Sequence, residues 1–174
     1  ALHEKSLREK RLSEEVGRLC GEIGLEMGLT ETAVKKLREA GYLHNIGKVS
    51  LNEAILNKDP QTLSEKEKEL LQKHPAVGYR ILILSEDTQE LAAAVHAHHE
   101  RWDGSGYPQG LKGEEIPLFA RMIAVAETWA TALDGNGDAE AGREKALKAI
   151  AAGVGQNFDP QIAGLLIDRM KRQG

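Results

Sequence analysis

His98-His99-Glu100-Arg101-Trp102-Asp103-Gly104-Ser105-Gly106-Tyr107-Pro108 is the stretch on which the reading of this chain turns. Two adjacent imidazoles end an apolar run, and a Gly-rich turn closed by Tyr-Pro follows them. Imidazole nitrogen is the commonest protein ligand for transition metals. Neighbouring side chains on a helix diverge by about 100°. His98 and His99 are therefore not expected to grip one ion side by side. They are expected to reach two ions a few ångströms apart, as a two-metal hydrolytic site requires. The plain alternative is a pair of surface histidines beside a turn. Histidines at other suggestive places weigh against it.

The first of those places is Leu43-His44-Asn45-Ile46-Gly47-Lys48. It ends the helical pattern of Ala33 to Leu43, and Gly47 suits a turn after a helix end. Periodicity near 3.6 runs through the rest of the chain, and strand alternation is absent. Leu12, Val16, Leu19, Ile23 and Met27 share one helical face, which Gly28 ends. Thr30 caps a second helix. Ser64 and Glu67 form a capping box for a helix carrying Leu70, Leu71 and His74. A helix from about Glu86 reaches His98 and His99, and a Gly/Pro-rich loop runs from Trp102 to about Glu115. Pro117 opens a helix through Val125 and Glu127. Asp134 to Asp138 is a flexible break without the oxygen pattern of a calcium loop. Helices over about 139–152 and 159–170 complete an all-α bundle of about seven helices, with candidate ligands near helix ends.

The 174 residues suffice for one domain with a single core. Apolar residues make up 41% but aromatics only 4%, so that core is aliphatic. The net charge of -4 argues against general nucleic-acid binding. Cys20 is the lone cysteine; it excludes an internal disulfide and fits a buried thiol in the cytoplasm. No apolar run approaches the roughly 20 residues of a bilayer span, and no signal peptide is visible. The charged start, Ala1 to Arg11, reads as a linker helix from an upstream domain or as a solvated tail. His3 and His96 are given no part in the site.

Taken together these segments resemble the HD-GYP family of metal-dependent phosphohydrolases. His74-Pro75-Ala76-Val77-Gly78-Tyr79, Gly110 to Pro117, Ala120 to Glu127 and Phe158-Asp159-Pro160 extend the likeness over residues 12–174. The resemblance implies an HD-domain helical bundle and a metal-dependent phosphodiesterase acting on cyclic di-GMP. It implies metal ligands at His44, His74, His98, His99 and Glu127, with iron, manganese or zinc as the metal. Lys48 would be catalytic, approaching substrate phosphate or a bridging hydroxide. Arg101, Asp103, Gly104, Gly106, Tyr107 and Pro108 would form a loop for substrate or partner. The implied partners are GGDEF-type signalling proteins and an upstream sensor domain.

Four departures bear on that chemistry. The family's His-Asp pair reads His44-Asn45, so an anionic bridge is replaced by one neutral carbonyl oxygen. Its Val-Ala-Asp reads Val125-Ala126-Glu127, one methylene longer. A ligand usual on the first helix falls at Leu12, and Glu14 and Glu15 should face elsewhere. The basic segment after Val-Ala-Asp is missing, since residues 130–141 contain no Arg or Lys. Two cations held close together need anionic oxygens to offset their repulsion. The expectation is one metal in the imidazole-rich half, weak or no phosphodiesterase activity, and a regulatory or interaction role. An active cyclic di-GMP phosphodiesterase yielding pGpG or GMP is the alternative, and a hydrolase for another phosphoester is a third reading.

Overall fold

Val16, Leu19, Cys20 and Ile23 recur at one-turn spacing and are fully buried, giving α1 (Leu2–Glu26) its core face. The computed structural model describes residues 2–135 and 137–174, with side chains from Leu7 onward. Thr30 caps α2 (Glu31–Leu43) by accepting from Ala33 N at 3.2 Å, as expected. Val34, Leu37 and Ala40 of α2 pack against the α1 stripe. Between them α7 (Leu118–Asp134) supplies Met122, Ile123, Val125, Ala126 and Trp129, and it also touches the four helices named next. These are α1 and α2, with α6 (Gln89–Ala97) on one side and α8 (Ala139–Gly153) on the other. The C-terminal α9 (Pro160–Arg172) closes against α1, α7 and α8. Fully burying each Leu or Ile of this kind contributes about 1.5–3 kcal/mol.

The chain is all-helical, as expected, with no strand among the described residues. Nine α-helices are present among them, two more than the periodicity suggested. One addition is the short α3 (Glu53–Asn57), capped by the Asn52 amide oxygen accepting from Ile55 N. The other arises because the helix opened by the Ser64–Glu67 capping box stops early, as α4 (Glu65–Leu71). A new helix, α5 (His74–Leu82), then begins. Pro75 explains the break: it has no N–H to donate to Leu71 and its ring would collide with that carbonyl. His74 therefore stands at a helix start instead of on a helix face. Between α7 and α8, Asp138 caps α8 by accepting from Glu140 N. Within the break expected there, Asn136 lies outside the described residues. No helix among the described residues is long and apolar enough to cross a membrane.

Candidate metal centre

Four histidines arrive from three helix ends. His44 follows the last residue of α2, His74 opens α5, and His98 and His99 follow the last residue of α6. Gly47, in the 3-10 turn Ile46–Ser50, lets that turn pack against α5. A Cβ there would lie 2.7 Å from Gly78 N and collide with the His74 carbonyl. The sequence suggested Gly47 for a turn; the structure requires it for close approach, and its φ is not positive.

Three of the rings are held in the same way. Nδ1–H donates to the backbone carbonyl three residues earlier: His44 to Gly41 (2.5 Å), His74 to Leu71 (2.6 Å) and His98 to Val95 (2.5 Å). That fixes the tautomer and turns each Nε2 lone pair inward. His44, His74 and His98 are each 1–2% exposed, and none of the three Nε2 atoms has a hydrogen-bond partner. The Asn45 Oδ1 beside them is likewise buried and unpaired. A buried acceptor left unsatisfied costs about 1–3 kcal/mol, so several in one place argue for a ligand that uses them.

His74, His98 and His99 present ligand atoms that all lie within 4.8 Å of one another. This corrects the expectation that His98 and His99 must serve different ions. The 100° divergence holds only inside a helix, and α6 ends at Ala97. Beyond that end the two rings converge to a centroid separation of 4.2 Å. His44 packs edge-on against His98, ring centroids 5.3 Å apart. Its Nε2 stands 3.5 Å from Glu127 Oε1, which comes from the middle of α7. Burial pushes His74 down to about 4 and holds His98 well below the ordinary imidazole value. Burial lowers His99 too. Neutral imidazole is the form that ligates a metal. Burial opposes ionisation of Glu127, but a proton on the adjacent His44 ring, or on His99 or His98, outweighs it and holds the carboxyl well below its usual range whenever those rings are charged.

Lys48 shares a cleft of about 760 Å³ with His44, Asn45 and Glu127. Leu12 lines the same cleft, as does Glu9, one turn earlier on that face of α1. Glu9 Oε2 lies 3.8 Å from Lys48 Nζ. Sequence reading placed Glu9 in a linker, although its spacing from Leu12 puts it on the same helix face. Glu14 and Glu15 do face elsewhere: Glu14 lies 3.9 Å from Lys10, and Glu15 pairs with Arg18.

The loop after the histidines folds back on them. A Cβ on Gly106 would lie 2.5 Å from His99 O and 2.6 Å from Glu100 Cα, so only glycine fits. Tyr107, preceding a cis proline at 108, stacks on His99 with ring centroids 5.0 Å apart. Arg101 lines a second cleft, with His98 and His99. Asp103 has a different part: its Oδ1 accepts from Ser105 N and Oγ, and its own N–H donates to Gln156 O. Gly104 supplies a φ of +86°, and Pro108 is exposed on the outer surface of the loop.

Glu100, to which the sequence reading gave no role, anchors this loop. It is 3% exposed and accepts from Gln109 N at 2.6 Å and Leu111 N at 3.0 Å. Arg121 secures the other side, donating to Ile116 O and to the Asp159 carboxylate, which caps α9. The Arg121 guanidinium also lies 5.9 Å from the Trp102 ring centroid.

An HD domain family model matches residues 1–162. A cyclic di-GMP phosphodiesterase of Thermotoga maritima is 42% identical over 127 residues, covering 72% of this chain and 34% of that protein. The cyclic di-GMP phosphodiesterase response regulator RpfG of Xanthomonas campestris pv. campestris is 37% identical over 157 residues. That match covers 88% of this chain and 41% of RpfG, so the chain spans well under half of either relative. The fold matches Bd1817, an HDG"Y"P protein from Bdellovibrio bacteriovorus, at a TM-score of 0.74 and 20% identity. That likeness covers 94% of this chain and 52% of Bd1817. The helix-end histidines, the folded-back Gly-Tyr-Pro loop and the matched family model lead to one assignment: the chain belongs to the HD domain family.

Proposed function

We propose that this chain is an HD-GYP-type cyclic di-GMP signalling domain that binds its ligand beside the histidine cluster, hydrolyses it weakly or not at all, and acts in regulation or partner binding. The ligand class rests on the relatives, which are named cyclic di-GMP phosphodiesterases. The weak turnover rests on one observation: among the described residues Glu127 is the single carboxylate set against the imidazoles, since Glu9 stands at Lys48. His74, His98 and His99 would hold one divalent ion, iron, manganese or zinc. Such an ion supplies Lewis-acid polarisation of a phosphoryl oxygen and lowers the pKa of bound water. Lys48 would meet a phosphate oxygen, on release from Glu9. Residues 1–11 would act as a linker helix to an upstream sensor, the domain proper spanning 12–174. The setting would be cytoplasmic, with a GGDEF-type protein as one partner.

The test is elemental analysis and turnover on one preparation. Wild-type protein is expected to hold close to one ion per chain and to cleave cyclic di-GMP at a small fraction of the rate of the Asn45→Asp/Leu12→His double variant. Two ions per chain with efficient wild-type turnover would establish the active phosphodiesterase instead. The names of the relatives favour that second reading.

A further inference from the structure

We propose that the cleft between α7, α8 and the turn at 153–158 is a subsite for a phosphodiester anion, with Arg101 and Lys145 as its cationic walls. This rests on the cyclic-dinucleotide ligand class above and assigns where its second phosphate goes. The cleft measures about 470 Å³, and His98, His99, Glu127, Thr131 and Asn157 line it together with the two cations. Arg101 comes from the histidine loop and Lys145 from the second turn of α8. Both are exposed, and neither forms an ion pair among the described residues. Other cations of this surface are engaged. Lys148, one turn on from Lys145, pairs with Glu144 at 2.7 Å, and Lys48 faces Glu9.

The acidic groups nearby offset this pair only in part. Both Glu100 oxygens are occupied by loop N–H groups. Asp103 holds Ser105 while also feeling the Arg101 charge, and Glu127 lines the cleft with one oxygen toward His44, which leaves Lys145 as the cation that none of these carboxylates pairs with. What remains is local positive charge in a concave setting, with a hydroxyl and an amide on its walls, which is what a phosphate recognises.

Glu127 and Thr131 line this cleft and also the larger one that carries Lys48. The two clefts therefore share a wall. A ring-shaped ligand bearing two phosphates would lie across that wall, with one phosphate toward Lys48 and the other toward Arg101 and Lys145. The stretch 130–141 contains no Arg or Lys, so α8 supplies the cation that this end of α7 does not.

The experiment is equilibrium binding of cyclic di-GMP and 3'3'-cGAMP to the metal-loaded protein at fixed salt. Lys145→Ala is expected to weaken binding about tenfold and Lys145→Glu further, while Lys145→Arg stays within about twofold of wild type. Lys148→Ala, removing an exposed cation one turn away, is expected to change nothing. Wild-type binding that Lys145→Ala and Lys145→Glu leave intact would overturn the subsite and leave the proposed ligand class standing. Failure of the wild type to bind either dinucleotide would overturn the ligand class and the subsite with it. Lys145 is exposed, so all these variants should keep the wild-type melting temperature.

Discussion

A single hydrogen atom decides whether two walls of the site can meet. Gly47 lies so close to α5 that a methyl group would sit 2.7 Å from Gly78 N and press on the His74 carbonyl. Both obstacles are backbone, so no rotamer change relieves the clash. Gly47→Ala is expected to cost about 1–3 kcal/mol in urea unfolding. The same shift carries His74 away from His98 and His99, so metal affinity should fall along with stability. His98→Ala would lose metal by another route, removing one of three facing ligands, and the two variants separate on stability. Deleting the imidazole also removes an unpaired Nε2, so His98→Ala should destabilise the metal-free protein less than a typical buried truncation does. An equal loss of stability in the two variants would count against this account of the unpaired nitrogens.

At the scale of elements, the histidine loop is a strap fastened from beneath by one carboxylate. The buried Glu100 carboxylate accepts two N–H groups from the far side of the loop, which leaves both of its own oxygens satisfied. Glu100→Gln keeps the shape but turns an amide N–H toward one of those donors. The expected cost is about 1–3 kcal/mol, and the Gln109 and Leu111 amides should exchange with solvent faster than in the wild type. Unchanged exchange at both positions would show that the loop is held by other contacts. Glu100 stood inside the stretch that decided the fold, yet its part could not be read there. The fold itself was legible because apolar spacing, the Thr30 cap, the Ser64 box and the Asp159 cap are local signals that tertiary packing did not override. His44, His74, His98 and His99 were legible as a set through their motifs. Which of these rings converge was not, because it depends on α6 ending one residue before His98. Lys145 carried no signal at all: an exposed lysine on a polar helix face looks the same whether or not a cleft lies beneath it. Glu9 was lost to a boundary drawn at residue 12, whereas α1 runs unbroken from Leu2 to Glu26.

Across the whole molecule, stability and the site are coupled through protons. The ends of α2 and α6, the start of α5 and the middle of α7 all converge on buried imidazoles, so charging those rings strains every contact among these helices. In the unfolded chain a histidine titrates near 6.5, while burial holds His74 at about 4 in the folded protein. Below about pH 6.5 the unfolded state therefore binds a proton that the native state refuses, and stability falls as pH falls. For His74 alone the loss is about 1.4 kcal/mol by pH 5.5 and about 3 kcal/mol by the time pH reaches its folded value. His98 and His99 shift the same way and add to it. The Glu127 carboxyl, also held low, adds a further loss only below its ordinary value of 4.5. Metal-free protein should thus lose unfolding free energy steadily from pH 7 to pH 4.5, and His74→Gln should show a shallower slope. A saturating divalent ion adds about 2.7 kcal/mol at a hundredfold excess over its Kd. It should steepen the same limb, because protons compete with it for the ring nitrogens. Urea titrations at four pH values, with and without chelator, check both statements. A flat profile between pH 7 and pH 5 in the chelated protein would mean that the rings are already charged or solvated, and the buried neutral cluster would have to be abandoned.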